Sequence, residues 1–356
     1  MNTRMKAMQS PKITISACPE QEMANHGPVP SRLVAVVVTH NRSTQLEKTL
    51  ETLLAAAPEE LHAIIVVDNM SSDGTDAVLN RYQTSVPDRL TILRSKVNLG
   101  GAGGFALGLQ NAVALFDPDW VVVMDDDARP MPGALNNFHC LDRSHWDAIA
   151  AAVYFPSGEL CEMNRPSRNP FANLGRFARL VRYVAAGRGR DGFHIPRAAY
   201  LDDRPVSIDA ASFVGLFLSR RAIQLVGYPD ARLFLYGDDV LYTLSLVAAG
   251  GRICFDPRVR FEHEFTTIDA AKNRFTPLWK SYYHHRNLLI VYRQAAGVVF
   301  WPALLLILPK WFLKVRHHAG ERTAFLRLLR RAVTDGLIGR LDVTLTEIKA
   351  VAISDR

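Results

Sequence analysis

The chain has 356 residues, 48% of them hydrophobic and 22% charged, with a net charge of +7. This is ordinary globular composition, enough for one large domain and a smaller region, and it excludes a disordered or fibrous chain. Four cysteines, Cys18, Cys140, Cys161 and Cys254, stand far apart without a CxxC pair, which excludes a zinc ribbon or disulfide scaffold and makes a reducing, cytoplasmic setting the expectation.

Residues 1–30 hold Lys6, Pro11, Lys12, Pro19, Glu20, Pro28 and Pro30 without a sustained apolar stretch, so they read as a mobile tail with no signal peptide. Leu33 to Thr39 is the first strong strand. It ends in His40-Asn41-Arg42-Ser43, where Ser43 or Thr44 is placed to cap a helix carrying Leu46, Leu50, Leu53 and Leu54 on one face. A second strand, Ala63 to Val67, ends in Asp68-Asn69, and Ser71 to Thr75 is turn chemistry leading into another helix. Asp68 either caps that helix or accepts from a pyrimidine imide or a ribose hydroxyl. A third strand, Leu90 to Arg94, precedes Asn98-Leu-Gly-Gly-Ala-Gly-Gly104 and a helix from Phe105 to about Phe116. The glycine block lacks GxGxxG spacing and follows the third strand, so it is not a dinucleotide fingerprint. Its N–H groups, including those of Gly100 and Gly101, are free of Cβ atoms and can approach a phosphate or sugar; the alternative is a tight turn.

The next stretch organises the rest. Val121 to Arg129 reads Val-Val-Val-Met-Asp-Asp-Asp-Ala-Arg, an apolar strand stopping on three consecutive carboxylates, Asp125, Asp126 and Asp127. Ligands of open α/β sheets collect beyond the carboxyl ends of strands. Adjacent carboxylates repel unless a cation sits among them, and a divalent metal is the simplest candidate. The alternation of strand and helix up to this point predicts a parallel, helix-covered sheet. Thr39 to Arg42, Asp68, Asn98 to Gly104 and Asp125 to Asp127 would then converge on one edge.

After Pro132 the pattern loosens. Residues 165–205 are rich in Arg, Pro and Gly and read as a variable, partly mobile insertion over the site. Pattern returns with a buried strand within Ser207 to Arg220, and then Gly237-Asp238-Asp239 opens a helix ending at Gly250-Gly251. One Asp suffices as a cap, so the second points to function. Arg252 to His263 is a further strand, and His263 is either a structural histidine or the missing metal ligand. Ala295 to Pro309 is an apolar run with Pro302 and Pro309, followed by Lys310, Lys314, Arg316, Arg322, Arg327, Arg330 and Arg331. That composition suits a helix lying on an anionic membrane face; a buried packing helix is the alternative.

The ordered blocks Val-Val-Thr39-His-Asn-Arg42, Val-Val-Asp68-Asn, Asn98-Leu-Gly-Gly-Ala-Gly-Gly-Phe105, Met-Asp125-Asp-Asp127, Gly-Asp238-Asp239 and His263 resemble a GT-A glycosyltransferase of family 2 over about residues 31–265. The glycine block with the Asp triplet is most similar to bacterial galactofuranosyltransferases. Rhamnosyltransferases of the family carry similar blocks, which leaves UDP-galactofuranose and dTDP-rhamnose both open as donors. The resemblance implies a Rossmann-like, mostly parallel sheet with flanking helices. It divides the chain into the tail (1–30), a transferase domain (31–270) and a helical C-terminal region (271–356). It implies an inverting transfer to a hydroxyl of a polyprenyl-linked or other glycan, by a protein peripheral to the inner face of the cytoplasmic membrane. Asp125, Asp127 and His263 would hold Mn²⁺ or Mg²⁺ against the diphosphate, and Asp68 would hold the base. Thr39 and Arg42 would line the nucleotide pocket, with Asn98, Gly100, Gly101 and Asp126 completing the donor site. Asp239 matches the catalytic base and Asp238 supports it. Lacking the extra domains of the long polymerising members, the chain is expected to make one or a few additions. Positive charge gathered beside the apolar C-terminal stretch, without a nucleic-acid motif, argues against a nucleic-acid partner. A non-catalytic glycan- or lipid-binding protein on the same fold is the alternative of another class.

Overall fold

A computed structural model describes residues 31–264 and 274–353; the N-terminal tail and the expected domain boundary at 270 lie outside the described residues. β1 (Leu33–Thr39), α1 (Ser43–Ala55), β2 (Ala63–Asp68), α2 (Thr75–Ser85), β3 (Leu90–Arg94), α3 (Gly100–Phe116) and β4 (Trp120–Asp125) alternate as expected. β3, β2, β1 and β4 are neighbours in that order and all parallel. Side chains alternate across β1. Ala35 and Val37 enter one apolar layer with Leu46, Leu50 and Leu53 of α1, while Val34, Val36 and Val38 enter the other with Phe105 and Leu109 of α3. Burial on both faces is why these strands read as unbroken apolar runs rather than alternating ones.

The second half adds β5 (Ala128–Pro130), α4 (Ala134–Cys140), β6 (Ala148–Tyr154), α5 (Leu174–Ala185), β7 (Val206–Ile208), β8 (Leu216–Ser219), α6 (Arg220–Val226), α7 (Asp238–Ala248) and β9 (Ile253–His263). Here the sheet is mixed. β8 runs antiparallel to both β4 and β6, β6 is parallel to β9, and β5 and β7 pair antiparallel with β9. The parallel sheet expected from the sequence therefore holds for β1 to β4 and gives way beyond β4.

Three local expectations are corrected. The N-terminus of α1 is not capped by Ser43 or Thr44: the Ser43 N–H donates to Asp73 Oδ2 at 3.0 Å, a cap reaching in from the loop before α2. α3 begins at Gly100, so the glycines lie inside the helix rather than before it. The segment 165–205 is not loosely patterned chain. It folds as α5 and two 3-10 turns, tied down by Arg165 to Glu162 and Asp191 and by Arg176 to Asp209.

The C-terminal region packs α8 (Lys280–Ala296), α9 (Phe300–Leu313), α10 (Arg322–Ile338) and α11 (Leu345–Ile353) around Tyr282, Tyr283, Leu289, Phe300, Trp311, Phe325 and Leu329. The helical stretch Lys280–His317 is long and apolar enough by length and composition to cross a membrane. Its first half, however, buries Tyr282, His285, Arg286 and Asn287 within the protein. The apolar run Ala295 to Pro309 is split by a 3-10 turn at Gly297–Val299, after which Phe300 and Leu304 are buried while Trp301, Leu305 and Leu306 are exposed.

Candidate active site

The parallel register sets the site. Thr39 pairs with Asp68 across β1 and β2, and Val38 with Asp125 across β1 and β4, so three strands end level on one edge. β4 then turns through Asp126 and Asp127 into β5, whose Ala128 pairs with His263 at the end of β9. That antiparallel contact joins two segments more than a hundred residues apart and puts the histidine against the carboxylates.

Ligand atoms of Asp125, Asp127 and His263 lie within 4.8 Å of one another. His263 Nε2 is 3.1 Å from Asp127 Oδ1, and Nδ1 is 2.9 Å from Asn164 Oδ1. Arg42 Nη1 donates to Asp126 Oδ1 at 3.2 Å and to Asp127 Oδ2. Burial alone would lower the His263 pKa, but the hydrogen bonds to Asp127 and Cys161 and the charges of Asp127 and Asp125 lift it to about 10. Asp127 moves the opposite way: burial opposes its ionisation, but His263 and Arg42 hold it below the usual carboxylate range. Burial and the neighbouring Asp127 push Asp125 up to about 7, and burial, partly offset by Arg42, pushes Asp126 up to about 6. Three crowded carboxylates thus demand positive charge, which Arg42 and a protonated imidazole supply. The donor set of two carboxylates and one imidazole suits a hard or borderline divalent ion. An Asn164 oxygen on Nδ1 fixes the ring with Nε2 aimed at the carboxylates, the tautomer a metal requires.

Thr39 and Asp126 behave differently from the expectation that they line the nucleotide pocket. Both are buried, and Thr39 Oγ1 donates to Asp126 Oδ2 at 2.8 Å. They brace Arg42 from behind. Asp68 is buried at the end of β2, with one carboxylate oxygen accepting the Ser71 N–H at 3.0 Å, which is the turn role. Asn98 Oδ1 accepts from the Gly100 N–H and from Asn69 Nδ2, so it shapes the loop before α3. Close approach at Gly100 (φ +68°) is to protein backbone: a Cβ there would sit 2.0 Å from the Phe234 carbonyl oxygen. Gly101 faces open space, whereas Gly104 and Gly108 let α3 settle onto Val38 and Val36.

Asp238 and Asp239 form the first turn of α7, where Gly237 takes the N-cap position and no side chain caps. Asp239 accepts a backbone bond there from the Val240 N–H at 2.7 Å, and backbone N–H groups of the same turn also bond the Asp238 carboxylate. Asp239 is partly exposed and Asp238 buried. Burial raises the Asp239 pKa to about 6 against several backbone N–H bonds. Burial, then Asp239 and, less strongly, Asp125 raise that of Asp238. The influence of Asp125 places α7's first turn within electrostatic reach of the metal-type cluster.

Residues 34–188 match the family model described as Glycosyl transferase family 2. That part of the chain is thus similar to family 2 glycosyl transferases. It is 33% identical to galactofuranosyltransferase GlfT1 of Mycolicibacterium smegmatis over 61% of this chain and 65% of that protein. With GlfT1 of Mycobacterium tuberculosis it shares 32% over 61% and 64%. The matched stretch therefore spans a little under two thirds of these relatives. Among solved structures, the mannosyltransferase PcManGT from Pyrobaculum calidifontis, in complex with GDP-Man and Mn²⁺, aligns over 93% of this chain and 82% of its own at 16% identity and a TM-score of 0.48.

Asp238, Asp239 and His263 lie beyond the matched residues of the family 2 domain, and their placement depends on contacts that sequence reasoning missed. The loop into α7 holds Phe234 and Tyr236 at positive φ (64° and 69°). Asn287 Nδ2 lies 2.8–2.9 Å from the carbonyl oxygens of Leu233, Leu235 and Tyr236. Arg286 Nη2 donates to the Leu233 carbonyl at 3.0 Å and Nε to Asn287 Oδ1 at 2.8 Å. A buried Arg-Asn pair on α8 thus holds the strained approach to the Asp pair. Little in the sequence signals it, because Arg286 and Asn287 stand among other polar residues of α8, His284, His285, Arg293 and Gln294. Asn164 and Lys280 were also missed. Lys280 heads α8, half-buried; burial first, and the Arg42 charge second, lower its pKa.

Proposed function

We propose that the protein is an inverting, metal-dependent glycosyltransferase that moves galactofuranose from UDP-galactofuranose to a hydroxyl of a lipid-linked or cell-surface glycan. The observation that carries this reading is Asp125, Asp127 and His263 gathered beside Arg42 at the carboxyl ends of the parallel strands, with Asp238 within electrostatic reach of Asp125. The choice of sugar is supported by the names of the matched relatives.

In this reading Asp125, Asp127 and His263 hold Mn²⁺ or Mg²⁺, which when bound neutralises charge developing on the leaving diphosphate. Arg42 and Lys280 add fixed positive charge on the same side. Asp239 takes the proton of the acceptor hydroxyl as it attacks the anomeric carbon from the face opposite the nucleotide. An inverted anomeric configuration follows from that single displacement. Asp68, at the end of β2, keeps one carboxylate oxygen for the base or ribose. Residues 31–270 act as the transferase domain, and 271–356 as a helical region that both shapes the site and meets the membrane. The exposed apolar side of α9, with Lys310, Lys314 and Arg316 following, suits an anionic bilayer, where a polyprenyl-linked acceptor would be presented on the cytoplasmic side.

A donor panel tests the proposal. The purified protein is given UDP-galactofuranose, dTDP-rhamnose, UDP-glucose or UDP-galactopyranose with Mn²⁺, and nucleotide release and sugar transfer are followed. Preference for UDP-galactofuranose with a β-linked product from the α-configured donor is expected. Preference for dTDP-rhamnose, or retention at the anomeric carbon, contradicts the reading.

A further inference from the structure

Helix α5 has apolar residues on two sides. No residue of it is fully buried; Leu180 and Tyr183 pack towards Gly192, and Arg176 and Arg179 also face the protein. Arg176 pairs with Asp209, Arg179 Nη2 donates to the Asp191 carbonyl at 3.2 Å, and both are half-buried. Its apolar residues Leu174, Phe177, Val181 and Val184 are exposed, Leu174 by 87% and Val181 by 52%. Spacings of three, four and three put those four on one face of a helix. The helix packs through Leu180 and Tyr183, and apart from a Phe171–Phe177 ring contact at 5.9 Å the second apolar stripe is left outward, where its own fold gives it no use.

Two observations indicate the missing partner. First, residues 165–190 contain seven arginines and no Asp or Glu, so the apolar stripe stands in a cationic field. Arg182, Arg188 and Arg190 are exposed around its C-terminal end. Second, the segment is joined to the C-terminal end of α8, just before α9. Asn169 Nδ2 donates to the Ala295 carbonyl at 3.0 Å, and Phe171 packs against the C-terminal helical core. Just beyond Ala295 the second exposed stripe begins, with Val298 exposed by 86% and Leu305 by 77%.

We propose that α5 is a second lipid-contacting helix, which lies on an anionic bilayer with its Leu174–Phe177–Val181–Val184 stripe in the acyl boundary and its arginines at the phosphates. This rests on the membrane reading of α9 and extends it to an element inserted in the transferase domain itself. Asn164, which orients His263, directly precedes the arginine-rich segment. Docking α5 therefore holds the wall of the metal-type site against the membrane, where a lipid-linked acceptor has to enter.

The test is co-sedimentation of the full chain with vesicles of equal parts phosphatidylglycerol and phosphatidylcholine, and with phosphatidylcholine alone. Wild type is compared with Phe177→Asp/Val181→Asp on α5 and Leu305→Asp/Leu306→Asp on α9. Circular dichroism checks folding and light scattering gives the oligomeric state. Both double variants are expected to stay folded and to lose about tenfold or more in partitioning to anionic vesicles, since each removes apolar side chains from the buried face. If the α5 variant partitions like wild type while the α9 variant does not, the α5 inference falls and the membrane reading stands. If wild type ignores both vesicles, the membrane reading itself falls. If wild type is dimeric and the α5 variant monomeric, with vesicle binding unchanged, the stripe belongs to a second copy of the chain and the inference is overturned.

Discussion

Asp239 and Asn164 are the residues whose chemistry can be separated most cleanly. A base with its pKa raised to about 6 by burial is protonated below that pH and ionised above it. Activity as kcat/KM is therefore expected to rise through about pH 6 and then flatten. Asp239→Asn keeps the bond from Val240 but takes no proton, so turnover falls roughly 10²–10⁴-fold with UDP affinity nearly unchanged. A pH–rate profile with parallel UDP titration checks this; a variant that loses UDP binding as badly as rate assigns Asp239 to the donor site instead. Asn164 touches neither metal nor substrate in this account. Asn164→Ala should weaken Mn²⁺ affinity by about 10–100-fold, because it frees the ring that aims Nε2, and a metal titration of the two proteins measures it. Asp125, Asp127 and His263 were legible because residue type and strand-end position restrict their chemistry. Asn164 was not, since an asparagine 99 residues from its partner histidine gives no local sign of the contact.

At the scale of elements, the helix–loop contact between α8 and residues 233–237 decides whether the Asp pair is in place. Asn287→Ala leaves buried carbonyls without a donor, a loss of about 1–3 kcal/mol, and releases two positive-φ residues from their restraint. Its kcat should fall more than its KM rises. Asn287→Asp, which keeps the acceptor for Arg286 Nε but loses both donors, should behave like the alanine variant. Steady-state kinetics and thermal melts of the two checks the role; full kcat with only a lowered Tm makes the contact merely structural. Elements β1 to β4 were readable because unbroken apolar runs ending in polar residues have few alternatives. β6 was not, as Ala148-Ile-Ala-Ala-Ala-Val has weak strand preference and gains its conformation from β8 and β9 on either side. The glycines have local roles that residue type alone does not separate. Gly104 and Gly108 let α3 rest on β1, while Gly101 faces open space, so one glycine-rich stretch serves more than one purpose.

Over the whole molecule, the sheet and the C-terminal helices meet at one place, with Arg286 and Asn287 of α8 holding the loop into Asp238 and Asp239. The C-terminal helices are thus both structural partners of the catalytic turn and, by their exposed stripe, the expected route to the membrane. The central claim is that a divalent ion held by Asp125, Asp127 and His263 binds the nucleotide diphosphate at the strand ends. Isothermal titration of UDP into wild type and Asp127→Ala, with Mn²⁺ and with EDTA, tests it most directly. The account predicts binding to wild type with Mn²⁺ that is lost in EDTA, and little binding to Asp127→Ala under either condition. UDP affinity in EDTA, or in Asp127→Ala with Mn²⁺, equal to that of wild type with Mn²⁺ would contradict it.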